Sequence, residues 1–161
     1  MWHRGASLEQ LESLYRQRYE HFVRVAAAIT GGAEPGRDAV QHAFATAVSK
    51  RKSYRRAGSL EAWLWRIVVN EARRLAREPQ LASLEESYEP SANGRVPDEL
   101  GIRSRIAALP ERQRETLFLR YYADLDYRAI AETLGIQVGT VSATLSAAHE
   151  TLRKLMNEVE R

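Results

Sequence analysis

The sequence predicts an all-helical protein made of two small domains joined by a flexible acidic linker. Apolar residues recur every three or four positions along most of the 161 residues, and the alternation typical of strands is almost absent. Between residues 78 and 100 three prolines, an asparagine and a glycine interrupt this periodicity, and six acidic residues face a single arginine. We therefore expect helical domains at 1–77 and 101–161, with the linker at 78–100.

Local signals predict the three helices of the first domain. Ser7 followed by Gln10 is a capping box, so the first helix is expected to start there and to end near Thr30. The glycines and proline of residues 31–36 are expected to break the chain before a second amphipathic helix. Ser59 is expected to cap the third helix.

The third helix combines an apolar stripe with a polar ridge. The expected stripe consists of Leu60, Trp63, Leu64, Ile67, Val68 and Leu75. Helical spacing places Arg66, Asn70, Arg73 and Arg77 together beside it. Trp63 is therefore expected in the core and Trp65 at the surface. Glu71 falls inside the stripe, where an unpaired charge is costly, and its expected partner is Arg74 or an arginine of another helix.

A concentrated positive patch runs from the loop KRKSYRRAGS, residues 50–59, into that ridge. Nine basic residues lie between Lys50 and Arg77 against only Glu61 and Glu71. A charge run is usually a solvated face of a protein. Here Tyr54 and Trp65 are available for stacking, and bases of a separated strand stack on such rings. At this point both a solvated surface and a nucleic-acid site remain open.

The stretch from Asp126 to Leu155 has the pattern of a helix-turn-helix. Ile130 and Leu134 define one short helix, and Gly135 provides the left-handed residue that ends it. Apolar residues then recur at helical spacing and leave one face of a second helix free for a major groove. An ordinary helical hairpin would show the same pattern.

The composition excludes several functions. The net charge is only +3, there is no cysteine, and four scattered histidines lack the spacing of metal ligands. No run of about twenty apolar residues and no signal peptide is visible. No nucleophile with a base and no paired carboxylates stand out. We expect a cytoplasmic protein without metal or cofactor that is not an enzyme and does not bind a membrane directly.

Three segments together resemble bacterial RNA polymerase sigma factors of the extracytoplasmic-function (ECF) group within the sigma-70 superfamily. These are RDAVQHAF, SLEAWLWRIVVNEARRLAR and LPERQRETLFLRYYADLDYRAIAETLGIQVGTVSATL. The resemblance implies region 2 in the first domain and region 4 in the second. It also implies a protein that binds core polymerase, directs it to promoters and helps to melt the minus-ten element.

The resemblance implies three sets of contacts. The minus-ten set consists of Arg51, Lys52, Tyr54, Arg55, Arg56, Arg66, Asn70, Arg73, Arg74 and Arg77. The minus-thirty-five set consists of Gln137, Gly139, Thr140, Ser142, Ala143, Ser146, His149 and Arg153. Asp38, Gln41 and Phe44 match positions that dock on the clamp helices of the largest polymerase subunit. The second domain would rest on the flap of the second-largest subunit, and an anti-sigma factor is an implied partner.

The recognition helix departs from the family pattern. It carries small or weakly basic residues, including Ser142 and Ser146, where long cations are usual, so weak minus-thirty-five binding is expected. Two alternative functions remain open: a stand-alone DNA-binding regulator, or a sigma-like adaptor that another protein recruits to DNA.

The predicted linker could extend to about 75 Å at ~3.3 Å per residue. The two domains are therefore expected to have no fixed relative orientation.

Overall fold

The computed structural model describes residues 5–82 and 101–159, and every regular element in these two ranges is helical. In chain order they are α1 (Leu8–Thr30), α2 (Ala33–Lys50), a 3-10 turn (Arg51–Ser53), α3 (Leu60–Ala82), α4 (Ile102–Ala107), α5 (Glu111–Tyr121), α6 (Tyr127–Leu134) and α7 (Val138–Val159). The predicted all-helical class is confirmed. Helix α3 continues past the predicted domain end at residue 77, and most of the predicted linker lies outside the described residues.

The first domain is a bundle of α1, α2 and α3 around an aromatic centre. The ring of Phe22 lies 5.4 Å from that of Phe44 and 4.4 Å from that of Trp65, between centroids. Trp65 is 0% exposed, whereas Trp63 is half-buried beside Tyr54. The assignment of Trp63 to the core and Trp65 to the surface is therefore wrong. The buried face of α3 consists of Ala62, Leu64, Trp65, Val68, Val69 and Ala72.

Helix α2 begins soon after α1 ends, earlier than the sequence suggests. Pro35 and Gly36, expected to break the chain, lie in or next to the first turn of α2. Proline is tolerated there because the first amides of a helix have no intrahelical acceptor. Gly36 is buried, and a Cβ on it would lie 2.7 Å from backbone atoms of Ala27. This glycine therefore permits the close approach of α1 and α2.

Gly36→Ala is expected to lower the free energy of unfolding by about 1–3 kcal/mol, because the added methyl group overpacks the α1–α2 contact. Urea unfolding followed by circular dichroism measures this loss. The matched control is Gly139→Ala in α7, where an added Cβ meets nothing within 4 Å. That control should be neutral or stabilising by up to about 1 kcal/mol. Equal stabilities of the two variants would contradict the close approach.

The second domain consists of α4 to α7 and contains the predicted helix-turn-helix. Leu119, Ile130 and Val141 from three of its helices are 0% exposed and form its centre. The Asp126 carboxylate accepts a hydrogen bond from the backbone amide of Ala129 at 2.8 Å and caps α6. Gly135 ends α6 with a φ of 67°, and α7 starts three residues later. The predicted turn is confirmed.

The two domains pack against each other. Helix α3 lies against α6, and α1 contacts α5. Arg18 of α1 pairs with Glu61 at 2.6 Å and also donates a hydrogen bond to the carbonyl oxygen of Ala123, which follows α5. The structure thus holds the two domains in one packed arrangement, in which polar groups of α1 and α3 have direct partners in the second domain. The expectation that the free domains have no fixed relative orientation stays a prediction.

Candidate nucleic-acid interface

The basic loop, residues 51–59, is folded on itself and presents cations around an aromatic pair. Ser53 Oγ donates to the Lys50 carbonyl at 2.6 Å, and the Tyr54 hydroxyl donates to the Gly58 carbonyl at 2.5 Å. The Tyr54 ring is half-buried and lies 5.6 Å from the ring of Trp63. The exposed cations around this pair are Lys52, Arg55 and Arg56. Trp63, which the sequence assigned to the core, is thus the aromatic partner at this surface.

The polar ridge of α3, formed by Arg66, Asn70, Arg73 and Arg77, lies on one side of the helix as predicted. Arg73 Nη1 donates to Asn70 Oδ1 at 3.3 Å. Asn70, Arg73 and Arg77, together with Arg74 and Glu78, line an open cleft of about 460 Å³. The ridge also faces the second domain, which supplies partners to three of its four members.

Arg73 forms the most buried ion pair in the described part of the chain. Its guanidinium hydrogen-bonds both carboxylate oxygens of Glu115, with the Nε–Oε1 distance at 2.5 Å. The side chain of Glu115 is only 3% exposed and that of Arg73 23%. These hydrogen bonds raise the pKa of the Arg73 guanidinium above its ordinary value, although burial acts in the opposite direction. Arg73 therefore keeps its positive charge within this buried pair.

Arg74 lines the same cleft as the ridge and binds carboxylates of its own helix. It pairs with Glu71, whose side chain is 17% exposed, and with Glu78 at 2.5 Å. The predicted pairing of Glu71 with Arg74 is confirmed. The hydrogen bond to Glu71 raises the pKa of the Arg74 guanidinium. Arg74 thus neutralises a charge at the edge of the core and is less available to a strand than Arg55 or Arg56.

All eight residues of the predicted minus-thirty-five set are exposed, seven of them on α7 and Gln137 directly before its first residue. On the opposite face Val141, Leu145 and Ala148 are buried, so the predicted division into two faces is confirmed. His149 accepts or donates a hydrogen bond with the Tyr121 hydroxyl at 2.9 Å. Val138, absent from the predicted set, is 47% exposed at the start of the helix. Val138 lies three residues before Val141, a spacing that places both on one side of the helix, so no signal in the sequence predicted its exposure.

The three residues matched to polymerase docking occupy different environments on α2. Asp38 and Gln41 are exposed, one helical turn apart. Phe44 is only 8% exposed, and its ring lies edge-on to Tyr15 with centroids 4.7 Å apart. The assignment of Phe44 to a docking contact therefore needs correction: the ring supports the packing of α1 on α2 and offers little surface to a partner.

The described residues offer neither a metal centre nor a membrane span. They contain no group of three or more His, Asp or Glu side chains placed to hold a metal ion. Among the helices in these ranges, none is both long and apolar enough to cross a membrane. The surface features that stand out are the basic loop, the ridge of α3 and the exposed face of α7, all suited to noncovalent contacts with nucleic acid.

Two family models match the two domains. The model of sigma-70 region 2 matches residues 14–80, and the model of sigma-70 region 4 matches residues 100–152. Solved structures share the arrangement. CnrH in complex with the cytosolic domain of CnrY has a TM-score of 0.73 at 21% identity, covering 95% of this chain and 91% of that one. The sigma factor RpoE of Bartonella quintana with the anti-sigma factor NepR has a TM-score of 0.68 at 22% identity, covering 96% and 100%.

Curated relatives extend the similarity along the chain. RNA polymerase sigma factor YlaC of Bacillus subtilis is 26% identical, covering 93% of this chain and 94% of its own length. The ECF RNA polymerase sigma-E factor of Escherichia coli is 30% identical, covering 84% of this chain and 81% of its own. The chain belongs to the ECF group of RNA polymerase sigma factors, which direct the polymerase to specific promoters.

Proposed function

We propose a division of this sigma-factor role among three surfaces of the chain. The basic loop and the ridge of α3 hold the separated minus-ten strand, the exposed face of α7 reads the minus-thirty-five element, and α2 docks on the polymerase. The chain acts in the cytoplasm, where polymerase and promoter are found. None of these steps needs covalent chemistry, so we propose that the chain is not an enzyme by itself.

The observation that carries the minus-ten assignment is the Tyr54–Trp63 pair inside a ring of exposed cations. Both rings are half-buried, so each keeps a surface on which an unstacked base can rest. Stacking of a base on an aromatic side chain contributes about 1–3 kcal/mol. This gain is available only when the duplex is open, because paired bases are already stacked. The site therefore favours the melted promoter over the closed one.

The exposed face of α7 supports a weak reader of duplex DNA. Gln137 and Thr140 can hydrogen-bond base edges, and Val138 can contact a thymine methyl group. Only Arg153 on this face is an arginine in the proposed set, and cations supply most raw affinity for phosphates. We therefore expect the minus-thirty-five contact to orient the holoenzyme more than it anchors it.

The polymerase contacts use both domains. The exposed Asp38 and Gln41 of α2 are proposed to dock on the clamp helices of the largest subunit. Helices α4 and α5 precede the helix-turn-helix and are proposed to rest on the flap of the second-largest subunit. Phe44 contributes by holding α2 in position through its contact with Tyr15.

An anti-sigma factor is a further proposed partner. Of the two similar solved structures, one holds CnrH with the cytosolic domain of CnrY, and the other holds RpoE with the anti-sigma factor NepR. The described chain has the same two helical domains in contact with each other. A protein that binds across both domains would control access to the polymerase-docking surface of α2.

Run-off transcription with core polymerase tests the proposed division. Wild-type chain is expected to give transcripts that start downstream of a common sequence pattern. The double variant Lys52→Gln/Arg55→Gln should lose initiation at lower salt than wild type, because it binds the strand more weakly at each salt concentration. The slope of log affinity against log salt should also become shallower by about 0.7 for each lost phosphate contact. Arg16→Gln/Arg24→Gln on α1 is the charge-matched control. Absence of a common pattern, or equal salt sensitivity of both variants, would overturn the minus-ten assignment.

A further inference from the structure

The contact between the domains engages three side chains of the α3 ridge that is proposed to hold the minus-ten strand, while Arg66, Asn70 and Arg77 keep exposed surface. Arg66 Nη2 donates to the backbone carbonyl of Glu132 at 2.6 Å, at the end of α6. Unpaired carbonyls at a helix C-terminus attract cations, so this arginine caps α6. A phosphate group of a DNA strand would have to displace this contact in order to reach Arg66.

The Arg73–Glu115 pair is the centre of this contact. The two parallel hydrogen bonds from guanidinium to carboxylate have the geometry by which arginine also binds phosphate. Glu115 therefore occupies the position that a phosphate of the strand would take. It lies beside a cleft of about 240 Å³ between α1, α3 and α5, which is also lined by Arg77. Burying this carboxylate has a desolvation cost that the hydrogen bonds to Arg73 offset, so removing its charge would leave Arg73 without its ionic partner in the closed arrangement.

Glu132 holds the junction between the basic loop and α3. Its Oε2 atom accepts from the Ser59 amide at 3.2 Å and from the Ser59 hydroxyl at 3.3 Å. A Cβ on Gly58 would lie 3.4 Å from the same oxygen. Glu111 adds a longer pair with Arg77 at 3.4 Å. Three carboxylates of the second domain thus face the proposed strand site.

The contact leaves the other DNA surface uncovered. All eight residues proposed for the minus-thirty-five element are exposed, on α7 or directly before it, while the domains are packed together. Arg55 and Arg56 at the tip of the basic loop are exposed as well. The packed arrangement is therefore selective: it occupies hydrogen-bonding groups of Arg66, Arg73 and Arg77 on the ridge of α3 and keeps the face of α7 available to duplex DNA.

We propose that the second domain acts as an internal competitor for the minus-ten strand, with Glu115 in the place of a DNA phosphate at Arg73, and with Glu132 holding the contact through Ser59 and, by its backbone carbonyl, through Arg66. The free chain can then engage duplex DNA through α7, and its α3 ridge binds a single strand fully only after the domains separate. A binding site that is competent for only part of the time has an apparent affinity reduced by that fraction. This inference rests on the proposed minus-ten role of α3.

The test compares Glu115→Gln/Glu132→Gln with wild type. The control Glu12→Gln/Glu20→Gln makes the same change in charge, but its carboxylates pair with arginines of α1 and are 61% and 82% exposed. Because the chain has no cysteine, Ala45→Cys and Asn157→Cys on exposed positions of α2 and α7 accept a donor and an acceptor dye. Energy transfer then reports the separation of the domains. The affinity for a single strand is measured with a fluorescent oligothymidine of twelve nucleotides. The affinity for duplex DNA is measured with a thirty-base-pair DNA fragment of random sequence.

The double variant is expected to shift the energy transfer away from the wild-type value and to tighten oligothymidine binding about fivefold or more. The control should change strand binding by less than about twofold, because exposed ion pairs contribute little. Duplex affinity should match that of the control. Unchanged energy transfer, or strand binding no tighter than the control, would overturn the proposal.

Two further readouts separate this inference from the proposed function. If the double variant loses helical circular dichroism, Glu132→Gln alone should produce a smaller change in the same direction, because its carboxylate is only partly buried. If Glu132→Gln changes neither the energy transfer nor the strand affinity, that result also contradicts the proposed competition by the second domain. If run-off transcription is normal while the variants gain no strand affinity, the competitor fails and the sigma role stands. If no variant binds the strand and no promoter pattern appears, the minus-ten assignment itself fails.

Discussion

Replacing Trp65 by alanine is expected to lower the free energy of unfolding by about 3–5 kcal/mol. The side chain is 0% exposed and its ring lies 4.4 Å from that of Phe22, between centroids, at the centre of the first domain. Removing it leaves a cavity where α1, α2 and α3 meet. Urea unfolding followed by circular dichroism measures the loss, and heat denaturation should show a correspondingly lower midpoint.

Two matched variants make this expectation specific. Trp63→Ala removes the same side chain from a half-buried position and should cost clearly less stability. Trp65→Phe keeps most of the apolar volume, and the indole Nε1 of Trp65 has no hydrogen-bond partner within the described residues, so this change should cost less than about 1.5 kcal/mol. If Trp63→Ala destabilised the protein as much as Trp65→Ala, the assignment of Trp65 as the central core residue would be contradicted.

The elements with local signals were predictable from the sequence. Ser7 and Gln10 form the expected capping box, with hydrogen bonds at 2.9 and 3.1 Å, because both partners lie within one turn. Asp126 and Gly135 begin and end α6 for equally local reasons. The partner of Glu71 was also found, since Arg74 lies one helical turn away. In each case the residues that determine the structure are sequence neighbours.

The wrong expectations concern contacts between distant parts of the chain. Helix α3 packs on α1 and α2 with one side and on α6 with another, so apolar residues occupy more than one face. A single stripe therefore could not decide between Trp63 and Trp65 for the core. The pairing of Arg73 with the Glu115 carboxylate spans 42 residues, and the hydrogen bond of Arg66 to the backbone carbonyl of Glu132 spans 66. Charged residues on amphipathic helices look alike in sequence and every residue has a carbonyl, so neither partner could be assigned.

Replacing Tyr54 by alanine is expected to weaken binding of a single-stranded minus-ten oligonucleotide by about 5- to 150-fold, the equivalent of 1–3 kcal/mol for one stacked base. Promoter opening, measured by permanganate reactivity of unpaired thymines in the holoenzyme, should fall in parallel. Duplex binding through α7 should be unchanged, because Tyr54 lies in the other domain and stacking requires an open strand.

Tyr54→Phe is the control that separates the ring from its hydroxyl. The hydroxyl donates to the Gly58 carbonyl and closes the basic loop, a hydrogen bond with a net contribution of about 0.5–1.5 kcal/mol. If the ring holds the base, phenylalanine should retain strand affinity within about threefold, less than the loss for alanine. An equal loss in both variants would mean that loop closure matters and stacking does not. If Tyr54→Ala binds the single strand as tightly as wild type, Tyr54 does not stack on the base. Trp63, whose ring lies 5.6 Å from that of Tyr54, would then be the stacking residue.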